Sequence, residues 1–312
     1  MARQTPIVVI TGPTCSGKTG LSMELSRTFP IEVISADSMQ VYRYMDIATA
    51  KPTREEQVLL PHHLIDIVNP DEDFNAGMFA ERSQEKISEI KHRGRIPIVV
   101  GGTGLYIKAL IYGLVPVPSG SPEIRSMLRR LEENNGTGFL KRWLDRLDPE
   151  SGAKINQRDA VRIIRYLEII LLTGVKPSVF FSWHRFRTPR IPAKIACIIP
   201  DRKKLYREID ARVVNMMEQG LMDETSRLLS LGYHPNLKSM QTLAYRHTVR
   251  HMKGELSLQK TIGLIQRDTR HYAKRQITWM KANAYHELFP SAGDAVRNVS
   301  RWIEDVGKHG ME

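Results

Sequence analysis

Eight residues near the start of the chain, Gly12-Pro13-Thr14-Cys15-Ser16-Gly17-Lys18-Thr19, fit the spacing G-x-x-x-x-G-K-[ST]. The chemistry this spacing supports is phosphate binding. Small residues let consecutive backbone N–H groups curl around phosphate oxygens, and a following helix turns its positive end toward them. Lys18 adds a point charge, and the Thr19 hydroxyl suits Mg²⁺. Two further groups have types that could react beside a bound phosphate. Asp37 stands in Ser35-Ala36-Asp37-Ser38-Met39-Gln40, and Thr103 stands in Gly101-Gly102-Thr103-Gly104. A carboxylate there can take a proton, cap a helix or hold magnesium, and these three roles remain open on residue type alone. The adjacent His62 and His63 lack the i, i+4 spacing of a helical zinc site and have no evident third ligand, so no metal role is expected of them.

The elements around these groups place them together. Residues 7–10, all β-branched, read as a strand buried on both faces, and Leu21, Leu25 and Phe29 follow the loop at helical spacing. Residues 31–34, 96–100 and 195–199 are three more apolar strand candidates; the first ends at the Asp37 segment and the second at Gly101-Gly102-Thr103-Gly104. In a parallel α/β sheet, loops leaving the carboxyl ends of strands share one edge, so Asp37 and Thr103 are expected beside the phosphate loop. Helices are predicted after Lys51-Pro52-Thr53, over 74–92, over 202–219 behind Pro200-Asp201, and over 221–231 after Gly220. Another opens within 239–246. A long one covers 262–284 and carries a basic stripe of Arg267, Arg270, Lys274, Arg275 and Lys281.

Residues 115–122, VPVPSGSP, are a linker by composition, and beyond them lie helical stretches at 123–134, 138–147 and 158–172. The predicted fold is α/β, a P-loop parallel-sheet core at 1–114 and 188–312 with an inserted helical domain at 115–187. Arg125, Arg129, Arg130, Lys141, Arg142, Arg146, Arg158, Arg162 and Arg165 make the insertion either a solvated face or a grip on a polyanion. Phe180, Phe181, Trp183, His184 and Phe186 interleave with Arg185, Arg187 and Arg190, a pattern suited to stacking on unpaired bases or to a packed hinge. The formal net charge of +12 points to a polyanionic partner, nucleic acid first. Two cysteines give no disulfide framework, and no apolar run reaches ~18 residues. A soluble, cytoplasmic monomer without membrane association is expected.

With these pieces in view the sequence resembles the bacterial tRNA dimethylallyltransferases (tRNA isopentenyltransferases). The resemblance rests on GPTCSGKT at 12–19, ISADSMQVYRYMDIATAKP at 34–52, PHHLID at 61–66, VGGTGLYIKAL at 100–110, RDAVRIIRYLEI at 158–169 and RHYAKRQITWM at 270–280. The resemblance implies transfer of a dimethylallyl group from dimethylallyl diphosphate to N6 of the adenosine next to the anticodon. The loop at 12–19, with Lys18, Thr19 and Arg212, would then hold the diphosphate and Mg²⁺. Asp37 would take the proton of the attacking amine, and Thr103 would hydrogen-bond the leaving oxygen. The tRNA anticodon stem-loop would touch Asp37, Ser38, Met39, Gln40, Thr103, Arg125, Val161, Arg162, Ile163, Ile164 and Arg165. Cys15 replaces the alanine of many relatives.

Three other readings share parts of this pattern. A P-loop small-molecule kinase accounts for the first strand, the loop and Mg²⁺, but not for the insertion. A non-catalytic RNA-binding ATPase lacks an identifiable water-positioning residue. An isopentenyltransferase acting on free AMP has less use for a large basic insertion.

Overall fold

Six strands form one sheet in the order β3-β2-β4-β1-β5-β6, and every neighbouring pair is parallel. They are β1 (Ile7–Thr11), β2 (Ile31–Ser35), β3 (His62–His63), β4 (Ile96–Gly101), β5 (Ala193–Ile198) and β6 (Glu287–Phe289). The computed structural model describes residues 5–184, 188–282 and 286–309. β1 and β2 are buried at every position, as expected of runs rich in Val and Ile covered on both faces. On one face, helices Lys18–Ser26 and Ala292–His309 pack Leu21, Leu25, Ala295, Val299, Trp302 and Ile303 against Val8, Ile10, Val33 and Ile98. Helices Ala76–His92 and Gly104–Tyr112 pack together, with the rings of Phe79 and Tyr106 stacked at 4.5 Å.

The fold is the expected α/β class, with local differences. The phosphate-loop helix ends at Ser26, so Phe29 packs from the following turn rather than from the helix. Residues 239–244 are turns, and the helix there begins at Tyr245 (Tyr245–Met252). The long helix is Leu258–Lys281; positions 283 and 284 of its expected span lie outside the described residues. Strand β6 and the helix Ala292–His309 were not anticipated. The latter has apolar residues at 295, 299, 302, 303 and 306, the recurrence that marks an amphipathic helix.

The chain divides into two compact units, Met1–Tyr112 with Arg190–Glu312, and Gly113–Pro189. These bounds fall within two residues of 114/115 and 187/188. Among the described residues the second unit holds five helices: Pro122–Asn135, Phe139–Leu147, Pro149–Lys154, Ala160–Thr173 and Pro177–His184. Ser121 and Asp159 cap two of them by accepting from Ile124 N and Arg162 N. Leu128, Leu140, Leu144, Ile155, Ile163, Ile164 and Leu167 form its core.

Gly101 ends β4 where it passes closest to β2. A Cβ there would lie 2.2 Å from the Ala36 carbonyl oxygen, a backbone atom that cannot swing aside. Gly101→Ala should therefore lower unfolding free energy by about 1–3 kcal/mol in urea titrations, as forced overpacking does. An unchanged midpoint would show that the two strand ends are not closely held.

Candidate functional site

The site lies in the first unit, at the carboxyl edge of the sheet. Register sets the positions: Thr11 pairs with Gly101 and Ser35 with Val100, so three neighbouring strands end level and their next residues face one another. A cavity of about 440 Å³ opens there, and Lys18, Asp37, Gly102, Arg212, Tyr272 and Gln276 are among its lining residues.

The phosphate loop turns through two left-handed residues, Cys15 (φ 60°) and Gly17 (φ 89°). Gly17 also begins the helix Lys18–Ser26 with no side-chain cap, which leaves the first N–H groups of the helix for a ligand. Lys18 Nζ donates inside the loop to Gly12 O (3.0 Å), Pro13 O (2.7 Å) and Ser16 Oγ (3.4 Å). Burial lowers the Lys18 ammonium from its usual range to about 8; the Asp37 carboxylate opposes that shift and the Arg212 guanidinium adds to it. Arg212, on helix Arg202–Glu218, reaches Thr14 Oγ1 at 3.0 Å and lies 3.7 Å from Cys15 Sγ.

From residues 36–40 and 101–103, the cavity is lined by Asp37, Ser38, Met39, Gln40, Gly101 and Gly102, with Thr103 just behind them. Asp37 Oδ1 accepts from Met39 N (2.8 Å) and Gln40 N (3.4 Å). This closes a side-chain-to-backbone turn and not a helix cap, because residues 38–41 are a turn. Asp37 Oδ2 has no hydrogen bond among the described residues. Thr103 N donates to Ala36 O (3.1 Å) and Thr103 Oγ1 accepts from Ser38 N (3.0 Å), so the two segments are bonded at the residues of interest. Tyr272 is hydrogen-bonded to Thr103; burial, with the Asp37 charge beside it, raises its phenol far above the usual value and keeps it protonated.

Sequence reading missed Gln276. From helix Leu258–Lys281 its Oε1 accepts from Thr14 N (2.9 Å) and its Nε2 donates to Gly102 O (2.9 Å), so one buried amide spans the phosphate loop and the Thr103 loop. The available signal was a glutamine on the stripe of Ile265, Ala273 and Met280, where a buried polar group needs partners.

For Mg²⁺ the donor set is hard but sparse. Thr19 offers an exposed hydroxyl at the cavity beside Asp37, and no cluster of three metal-ligating side chains occurs among the described residues. That suits an ion that takes most of its ligands from phosphate and water. His62 and His63 are otherwise engaged: His62 Nδ1 contacts Leu60 O (2.6 Å) and His63 Nε2 contacts Glu32 Oε2 (2.6 Å).

Several of the residues expected at a nucleic-acid interface have partners within the fold. In the second unit, Glu168 is fully buried and receives Arg125 (2.8 Å), Arg165 (2.5 Å) and Ser121 N (2.7 Å), so both arginines are fastened to the fold. The one carboxylate offsets one of their two charges. Ile163 and Ile164 belong to that unit's core, which withholds their side chains from a partner. Val161 (81% exposed) and Arg162 face outward, with Arg162 paired to Asp159. Trp183 is 77% exposed, while Phe181 stacks on Tyr166 at 5.3 Å. Phe180 meets Trp183 edge-on, and residues 185–187 of that run lie outside the described residues. On the long helix Arg267 pairs with Asp268 (2.8 Å) and Arg270 with Asp210, whereas Lys274 and Lys281 are exposed.

Comparison with known proteins matches this geometry to one group. The model of the "IPP transferase" family matches residues 40–283, and that of "Isopentenyl transferase" matches residues 5–72. A tRNA dimethylallyltransferase of Syntrophotalea carbinolica is 47% identical over 277 residues, covering 89% of this chain and 88% of its own. One from Syntrophobacter fumaroxidans is 46% identical over 302 residues, covering 96% and 88%. Among solved structures, the full-length tRNA isopentenylpyrophosphate transferase of Bacillus halodurans has a TM-score of 0.71 at 35% identity, covering 99% of this chain and 98% of its own. A eukaryotic dimethylallyltransferase acting on tRNA has a TM-score of 0.77 at 28% identity, covering 95% and 77%.

The depressed Lys18 makes anion binding proton-linked. A bound diphosphate raises the lysine again, so above about pH 8 binding must take up a proton, and affinity falls as pH rises. Calorimetry with an organic diphosphate at pH 9, repeated in buffers of different ionisation enthalpy, should show uptake of nearly one proton. At pH 7 it should show about a tenth of one, and Lys18→Met should show none at either. Equal uptake by the wild type and Lys18→Met would remove Lys18 from the phosphate site.

Proposed function

This chain belongs to the IPP transferase family, and we propose that it transfers a dimethylallyl group from dimethylallyl diphosphate to N6 of the adenosine 3′-adjacent to the anticodon in tRNA, giving N6-dimethylallyladenosine and diphosphate. The observation that carries this reading is the bonding of the Asp37 and Thr103 segments to each other, Ser38 N–H to Thr103 Oγ1, at the sheet edge that also holds Lys18 and Arg212. The first pair handles a proton and a leaving oxygen; the second handles phosphate charge.

Adenine N6 is a weak nucleophile because its lone pair is delocalised into the ring. The allylic carbon compensates by spreading positive charge as the bridging C–O bond breaks. The N6 lone pair forms the new C–N bond, the C–O electrons leave on diphosphate, and the amine proton passes to Asp37. Met39 N–H holds Oδ1 of Asp37, which leaves Oδ2 to meet the amine. Backbone N–H groups of the loop, Lys18 and Arg212 neutralise the departing charge, and the Thr103 hydroxyl bonds the leaving oxygen. The Thr19 hydroxyl would help to hold Mg²⁺, which would supply further neutralisation of phosphate charge. The target base must leave its stack to bring N6 to a half-buried carboxylate in the cavity.

tRNA is favoured over free AMP by the helical unit, whose Val161, Arg162 and Trp183 present a surface suited to backbone and base contact. Cys15 and Cys197 are free, and no described helix is long and apolar enough to cross a membrane. Free thiols suit a reducing cytoplasm, where the protein is proposed to act on tRNA as a monomer.

Asp37→Asn should cut single-turnover transfer ~10²-fold or more while dimethylallyl diphosphate affinity stays within about twofold. A collapse of that affinity would instead make Asp37 a metal ligand. In a second measurement, tRNA affinity should fall steeply as salt rises, through release of counterions. A flat response would remove the helical unit as a phosphate grip.

A further inference from the structure

We propose that Glu224 is a positioning residue of the transfer reaction, fixing from a separate helix the segment that carries the Asp37 wall. The proposal rests on the functional reading above and adds a residue to it.

Glu224 lies on helix Leu221–Ser230. Its Oε2 accepts from the backbone N–H groups of Asp46 (2.8 Å) and Ile47 (2.8 Å), and its Oε1 accepts from Ala48 N–H (3.2 Å). Three consecutive N–H groups converging on one anion form the concave nest that elsewhere binds phosphate. Here a side chain distant in sequence fills it. Tyr245 OH donates to Oε1 at 2.6 Å, and Tyr245 is fully buried, so the carboxylate is itself held in orientation.

The segment so gripped is one that needs holding. Tyr44 (φ 66°) and Ala50 (φ 45°) are non-glycine residues in left-handed conformations, which persist only where the surroundings fix them. Lys51, with a nearly buried side chain, anchors the far end by donating to Tyr42 O (2.5 Å), Asp46 Oδ1 (2.7 Å) and Asp66 Oδ1 (2.5 Å).

A continuous hydrogen-bonded path leads from this segment to the reacting carboxylate. Gln40 Nε2 donates to Thr49 O (3.3 Å) and Ala50 O (3.1 Å), and Gln40 Oε1 accepts from Ser35 Oγ (2.8 Å). The backbone N–H of the same Gln40 reaches Asp37 Oδ1 at 3.4 Å. Ala48, Thr49 and Ala50 line the cavity together with Asp37. Loss of the Glu224 carboxylate frees three N–H groups and lets the wall drift, while the phosphate loop, on the other side of the cavity, keeps its contacts.

The test compares full-length wild type, Glu224→Ala, Glu224→Gln and Tyr245→Phe in single-turnover transfer to tRNA. Dimethylallyl diphosphate affinity and amide hydrogen exchange at residues 46–48 are measured alongside. Glu224→Ala should lose transfer ~10²-fold, as a displacement of about 1 Å does, with diphosphate affinity within about twofold of wild type. Glu224→Gln keeps one acceptor for Asp46 and Ile47 and should fall between Ala and wild type, and formate should restore part of the Glu224→Ala rate by occupying the vacated nest. Exchange at 46–48 should quicken in the same order. Transfer within twofold of wild type in Glu224→Ala would overturn the proposal, as would equal losses in transfer and diphosphate affinity. Should Glu224→Ala fail to fold, Glu224→Gln and Tyr245→Phe decide the matter: wild-type transfer in both overturns it, and a selective loss of transfer upholds it. A wild-type protein that transfers nothing to tRNA would sink the functional reading instead, a result visible before any variant is made.

Discussion

In a parallel sheet every strand delivers its next residue to the same edge, and the rest of this site depends on that constraint. β1 and β2 both pair with β4, from either side, and the pairings Thr11 with Gly101 and Ser35 with Val100 keep the three strand ends level to within a residue. The Thr103 loop therefore starts between the phosphate loop and the Asp37 turn, one strand spacing from each, before any side chain is chosen. Side chains then remove the remaining freedom. Gln276 bonds the first loop to the third, and Ser38 N–H bonds the second to Thr103. Gly102 and Gly104 are tightly packed for the same reason, since a Cβ at either would run into Gln276 or Trp279.

The electrostatics follow from burial. A lysine held inside its own loop by three oxygen acceptors and stripped of water carries its charge at a cost, and a polyanion is the ligand that relieves it. Asp37 and Arg212 lie close enough to Lys18 to act on that charge in opposite senses. A diphosphate bound there would meet positive charge from Lys18 and Arg212, with the proposed proton acceptor Asp37 in the same cavity.

How much of this was legible in the sequence depended on range. The strand–loop–helix at 7–26 and the capping box of Thr53 and Glu56 are local patterns, and local physics produced them. The Asp37 and Thr103 placements needed only the rule that parallel strands end together. Gln276 and Glu224 were invisible because their meaning lies in partners far along the chain, Thr14 and Gly102 for one, residues 46–48 for the other. The arginines of the helical unit show the same limit: a sequence shows that Arg125 and Arg165 are charged, but not that a buried Glu168 pairs with both. Helical periodicity, by contrast, is local, and it separates the buried Ile163 and Ile164 from the outward Val161 and Arg162.

The central claim is that the phosphate loop holds a leaving group and not an energy source. Purified protein, Mg²⁺, unmodified tRNA and dimethylallyl diphosphate labelled in the dimethylallyl carbons, with no nucleoside triphosphate present, test it most directly. The account predicts label in the tRNA on adenosine N6, with one diphosphate released per group transferred. Unlabelled tRNA under these conditions, together with turnover of ATP when it is supplied, would contradict it.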